Sequence, residues 1–192
     1  MSDDSWHQDA TKTARTLQII VPALAAGVAV FLVLVLTVIR PQAKQAPPTT
    51  PISFTMMAFL FVGACLIARA IAISIVVKKG RREIANGTYR PIDANRRMIL
   101  PPPNAANPPG DACRNEKYLL AVYQATTIIA CALFEGPGFL ATIAYMIEGN
   151  PLSLCLAIVL ILGVIAHFPT QAGVITWVEQ QMETLEMEKA VR

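Results

Sequence analysis

The sequence predicts an all-α fold: an integral membrane four-helix bundle followed by a short C-terminal amphipathic helix. Of its 192 residues, 54% are apolar and only 15% are charged, against about 25% charged in an ordinary globular protein. The apolar residues gather into four blocks, and nearly all of the charge lies between them. Proline, glycine or lysine follows every block, which is how helices are punctuated. This distribution weighs against a soluble enzyme of the same size.

Residues 1–16 form a polar N-terminal tail that carries Asp3, Asp4 and Asp9. The first helix covers 17–39, whose 23 residues include only Gln18 and Thr37 as clearly polar members. At 1.5 Å per residue it crosses the roughly 30 Å hydrocarbon core. Its length and the acidic tail before it argue against a cleaved signal peptide. A loop at 40–51 leads to the second helix, 52–77, with the single charge Arg69. The third helix, 118–147, has the single charge Glu135 and more residues than a span needs, so it should tilt, kink at Pro137 or project from the bilayer. The turn at 148–151 contains Gly149, Asn150 and Pro151, too short for anything but an antiparallel hairpin into the fourth helix, 152–168. In the last segment, 169–192, Ile175, Val178, Met182 and Leu185 recur at helical spacing opposite Glu179, Glu183 and Glu186. That stripe fits either the basic loop of the same chain or its own copy in a short coiled coil.

Nine of the 16 basic residues lie in the central loop, 78–117, against four acids, a net charge of +5. Basic loops resist translocation, so the loop belongs in the cytoplasm, and an even number of spans brings both termini to the same side. The membrane is then a plasma or inner membrane. Within the loop, 78–87 continues the second helix. The run Pro101–Gly110, with five prolines, reads as an extended linker. Lys78, Lys79, Arg81 and Arg82 sit where anionic lipid head groups would be. The tail after Pro169 has net charge −2. Nucleic acid is not an expected partner, because the bases lie beside the bilayer without interleaved aromatics.

Arg69 and Glu135 are the candidate functional pair. A charge near the bilayer centre costs about 2.5–3.5 kcal/mol even on insertion scales, so each must be paired, protonated or solvated. Arg69 precedes Lys78 by nine residues, about 13 Å of helix, and could reach Glu135 if their helices touch. Around Glu135, Cys131 and Gly138 belong to a small or polar face, and Ala64, Ala68 and Ala72 form a small-residue ridge on the second helix. These five are the candidate helix-interface positions. In one reading the pair fixes the register of the bundle. In the other, Glu135 takes up and releases a proton inside the membrane.

The stretch Arg114-Asn115-Glu116, followed by Thr127 to Gly136 with Glu135 near its end, resembles the polar loop and carboxylate-bearing helix of subunit c of rotary ATP synthases. The likeness extends over residues 114–147. It implies that Glu135 would be the proton carrier and that the loop faces the cytoplasm. The first helix of that family is rich in glycine; here Gly63, Ala64, Ala68 and Ala72 stand beside the bulky Arg69, and the loop is much longer.

No phosphate-binding glycine loop, nucleophile elbow or zinc-protease motif occurs, and Cys65, Cys113, Cys131 and Cys155 have no redox or zinc spacing. His167 at the end of the fourth helix reads as a packing or capping residue. The expectation is therefore no catalytic residue, no metal and no cofactor. The leading function is a structural or interaction component of a membrane complex, assembling with its own copy or with another subunit. Proton or ion translocation through Glu135 is the alternative.

Overall fold

The computed structural model describes residues 3–39, 53–86 and 111–190. Among them the chain is all-helical: α1 (Asp3–Leu34) continues into a π-helical turn (Val35–Ile39), followed by α2 (Phe54–Ala85), α3 (Asp111–Glu148), α4 (Pro151–Ile165) and α5 (Gln171–Ala190). Three helices are long and apolar enough to cross a membrane: Trp6–Ile39, Phe54–Ala85 and Asn115–Glu148. The fourth apolar helix, α4, has 15 residues, about 22 Å of rise. The 40–51 loop and the Pro101–Gly110 linker lie outside the described residues.

The helices run past the limits that hydropathy sets. α1 takes in most of the 1–16 tail, α2 continues through Lys78, Lys79 and Gly80, and α3 begins seven residues before Tyr118. Lysine, arginine and glutamate are good helix formers, so the helices extend past the apolar runs into charged segments. Gly80, inside the expected continuation of the second helix, is a place of close approach: a Cβ there would lie 3.0 Å from Val122 Cγ2 on α3. Nor does Pro137 end α3, although it stands inside that helix. The true stop is Gly149, whose φ of 65° suits glycine and whose N–H donates to Tyr145 O at 2.9 Å. Asn150 then caps α4, its side chain accepting from Leu152 N at 3.0 Å, with Pro151 at the first helical position.

The chain divides into two compact units. The first combines residues 1–15, 75–125 and 170–192. Its core is Trp6, Ala10 and Ala14 of α1, Ile84 of α2, Leu119 and Leu120 of α3, and Val174, Val178 and Leu185 of α5. The amphipathic stripe of α5 is thus buried within its own chain, and Trp177 adds an edge contact with Tyr123, ring centroids 5.3 Å apart. Thr170 opens α5, its hydroxyl accepting from Gly173 N at 3.1 Å. Gln171 Nε2 donates to Thr11 Oγ1 at 2.7 Å. Arg81 meets Glu188 at 3.6 Å and Lys117 meets Asp9 at 3.3 Å.

The second unit combines residues 16–74 and 126–169. Val21 and Ala25 of α1 pack with Cys131 of α3 and Val164 of α4, while Val62 of α2 packs with Ala141, Ala157 and Leu160. The contacts fix directions. Val21 and Val28 of α1 lie near Cys131 and Gly138 of α3, so these two helices run parallel with the same seven-residue step. Gln18 Nε2 at the start of the α1 segment donates to Pro169 O after α4, at 3.1 Å, so α1 and α4 are antiparallel.

Both tryptophans, Trp6 and Trp177, report on the first unit. In the detergent-solubilised chain, Val178→Ala should lower the stability followed by their fluorescence by about 2 kcal/mol. Glu188→Gln should cost under about 1 kcal/mol, because half-exposed ion pairs contribute little. A larger effect of Glu188→Gln would show that charge, not the apolar stripe, holds α5.

Candidate functional site

Two clusters of polar contacts and one acid without a partner among the described residues interrupt the apolar second unit. At one end, the Glu148 carboxylate of α3 caps the start of α2. It accepts from Ser53 Oγ at 3.0 Å and Thr55 N at 3.1 Å, and also from Phe54 N and Thr55 Oγ1. Thr55 Oγ1 lies 2.7 Å from Ser153 Oγ of α4, which is fully buried. An anion belongs at this helix terminus, where backbone N–H groups lack intrahelical partners. One side chain therefore ties together the C-terminus of α3 and the N-terminus of α2, with α4 joined through the two hydroxyls.

The second contact lies 14 residues further along α2, about 21 Å of helix, and in the turn just after α4. There Arg69 Nη2 meets His167 Nε2. His167 Nδ1 donates to Gly163 O at 2.7 Å, one helical turn back. That bond assigns the ring proton to Nδ1 and leaves the Nε2 lone pair to accept from the guanidinium. The guanidinium carbon is 4.9 Å from the centroid of Phe134, whose ring also lies against the His167 ring with centroids 5.3 Å apart. Gly163 makes room for this ring: a Cβ there would be 3.1 Å from Phe134 Cε1. Arg69 Nε is buried without a hydrogen-bond partner.

Arg69 does not pair with Glu135. Phe134 and Glu135 are neighbours on α3, and consecutive helical residues point about 100° apart. Phe134 faces Arg69, so Glu135 turns toward α1. Its Oε1 is 3.7 Å from where a Cβ on Gly27 would stand, a position that also lies 3.8 Å from Phe139 Cζ. Among the described residues Glu135 makes no hydrogen bond or ion pair.

The interface candidates divide. Cys131 is fully buried, and Gly138 permits close approach to α1, since a Cβ there would be 3.1 Å from Val28 Cγ1. Ala64 and Ala68 are exposed and Ala72 is half-buried, because the inward stripe of α2 is Ala58, Val62 and Cys65. Of the four basic candidates, Lys78, Lys79 and Arg82 are exposed, whereas Arg81 turns to α5. Glu148 is the residue that sequence reasoning passed over, and His167, expected to pack or cap, is the acceptor that meets Arg69. A signal for His167 was present: it is as far from Ser153 as Arg69 is from Thr55. No group of three or more His, Cys, Asp or Glu side chains is placed to hold a metal among the described residues.

Compared with models of known protein families, with characterised proteins and with solved structures, the chain finds no match. The likeness of residues 114–147 to subunit c rests on those residues alone.

Removing the imidazole acceptor by His167→Ala should destabilise the detergent-solubilised chain by about 1.5–3 kcal/mol, the range for a hydrogen bond to a charged group. The double change Arg69→Leu with His167→Leu should recover much of that loss, because no uncompensated charge remains. Additive losses in this cycle would exclude a coupled pair. Glu148→Ala should cost about 0.5–2 kcal/mol through loss of the α2 cap, readable as a drop in thermal midpoint that Glu148→Asp partly restores.

Proposed function

We propose that this chain is a four-span integral membrane protein with both ends on the cytoplasmic side, serving as a structural or interaction component of a membrane complex. The observation that carries the reading is the exposure of α2. Only 11% of its apolar window is buried within the chain, against 44% for α3. Its outward side chains include Leu60, Ile67, Ile71 and Ile75, each more than half exposed. Such a surface requires lipid or another subunit as its neighbour. Meanwhile Arg69, the one charge in the apolar part of α2, turns inward to His167.

The fourth span rests on register. Because Ser153 meets Thr55 and His167, in the turn just after α4, meets Arg69, α4 runs alongside α2 in the same direction. Its shortness is accommodated by local bilayer thinning at modest cost. The basic central loop supports the cytoplasmic assignment.

A second reading, proton or ion translocation by Glu135, draws support from a different observation: that carboxyl has no hydrogen-bonding or ionic partner among the described residues. Unpartnered acids inside membranes are characteristic of proton relays.

Two measurements test these readings. In a cysteine-free background, Gln45→Cys should react with an impermeant maleimide only from outside the cell. Glu179→Cys should react only after permeabilisation; labelling of both from the same side would leave three spans. In proteoliposomes, Glu135→Gln should leave assembly and ion flux unchanged if the chain is a structural component. A normally folded variant that loses a parental proton flux would replace the first reading with the second.

A further inference from the structure

Beyond the apolar run of α2, one stripe of that helix holds Ile75, Lys78, Lys79, Arg82, Glu83 and Asn86 around a shallow cavity of about 300 Å³. The spacings of three, four, seven, eight and eleven residues place all six on a single helical face. The cavity has two chemically distinct ends. Ile75 is 58% exposed and closes the end nearest the apolar run. The three cations lie three to seven residues further on, about 5–11 Å along the axis.

Their charges are largely uncommitted. Lys78 and Arg82 make no ion pair with any described acid. Lys79 approaches Glu83 only at 3.9 Å, with its side chain 73% exposed, and Glu83 also accepts from the Tyr118 hydroxyl. Three bases against one acid leave the cavity with a net charge of +2. Arg81 is excluded from this set by its contact with Glu188 and by being only 19% exposed.

We infer that this cavity is a head-group site for an anionic glycerophospholipid, with the phosphate between Lys78 and Arg82, Asn86 available as a neutral donor, and the upper acyl chain along Ile75. The inference rests on the membrane reading above, which puts the end of the apolar run at the level of the lipid phosphates. Charge complementarity selects the occupant: a net +2 favours a head group with net negative charge over a zwitterionic one. The apolar end favours a lipid over a free anion, which would leave Ile75 uncovered.

The test uses the full chain in detergent, with phosphatidylglycerol, phosphatidylcholine or inorganic phosphate added and bound lipid counted by native mass measurement. Phosphatidylglycerol should raise the thermal midpoint and stay bound, while the other two additives do neither. The double variant K78Q/R82Q should lose retention on the order of 30-fold, from about a kilocalorie per base near a membrane surface. Its lipid-free midpoint should be unchanged, since both side chains are exposed. R81Q should keep the lipid response. An undiminished response in K78Q/R82Q, equal retention of phosphatidylcholine, or an equal shift with inorganic phosphate would each overturn the site. If K78Q/R82Q loses the response but still fractionates with membranes, both inferences stand. A parent chain that stays dissolved without detergent would bring down the membrane reading itself.

Discussion

A guanidinium set nine residues inside an apolar run has to be satisfied by its own chain, and most of the second unit follows from how that is done. Arg69 is met by the His167 lone pair and the face of Phe134, an acceptor and a quadrupole, neither of which carries a formal negative charge. For this to happen, α4 must reach Arg69 at the right height, and α3 must present Phe134 rather than its acidic neighbour. The height is fixed 14 residues away, where Ser153 and Thr55 meet beneath Glu148. Two directional contacts about 21 Å apart along α2, one to α4 and one to the turn that follows it, fix both sliding and rotation. Apolar packing alone fixes neither, because many registers bury similar area. Gly163 is part of the same arrangement, since a Cβ there would be 3.1 Å from Phe134 Cε1 and the ring would have to shift.

The first unit is held together differently, around more polar helix segments. Here α1, α2 and α3 contribute helical segments that are too polar for a bilayer, and α5 covers them with Val174, Val178 and Leu185. The ion pairs around this core, Arg81 with Glu188 and Lys117 with Asp9, are at least partly exposed and contribute little energy. Their use is in orientation: a basic helix end and an acidic helix attract in one arrangement and repel in others. The apolar stripe of α5 is buried within its own chain, and among the described residues the α5 acid that meets a base is Glu188, with Arg81.

What the sequence makes legible is whatever depends on a long apolar run or a strong helix breaker. Hydropathy finds α1, α2 and α3 as spans, and Gly149-Asn150-Pro151 marks the hairpin because a positive φ, a side-chain cap and a first-turn proline each demand one residue type. The periodicity of α5 is read correctly for the same reason. Less legible are the polar ends. The continuation of the second helix past Val77 is read from the sequence, but the helix through 3–16 and 111–117 is not, because charged residues extend a helix without breaking its hydrogen bonds. The ridge of Ala64, Ala68 and Ala72 illustrates a second limit: small residues permit close packing but do not say which side packs. Arg69 with Glu135 illustrates a third. Opposite charges at similar depth suggest a pair, yet the rotation of α3 decides which of two adjacent side chains faces α2, and no one-dimensional pattern encodes that rotation. Glu148 was hidden because a cap supplied by another helix leaves no local signature.

The separation of the two charges bears on how the proposed functions should be weighed. If Arg69 and Glu135 had neutralised each other, one contact would explain both, and neither would be free for chemistry. Instead the task of fixing register falls to Arg69 with His167 and to Glu148 with the start of α2, and Glu135 is superfluous to it. An acid that stabilises nothing visible is costly to keep among apolar neighbours. Gly27 of α1 lies across from it, where a Cβ would make only ordinary van der Waals contact with Glu135 Oε1 at 3.7 Å and Phe139 Cζ at 3.8 Å. The structural reading accounts for Arg69, His167 and Glu148 together. Glu135 is the residue it does not need, which is why translocation is tested at that position rather than at the buried cation.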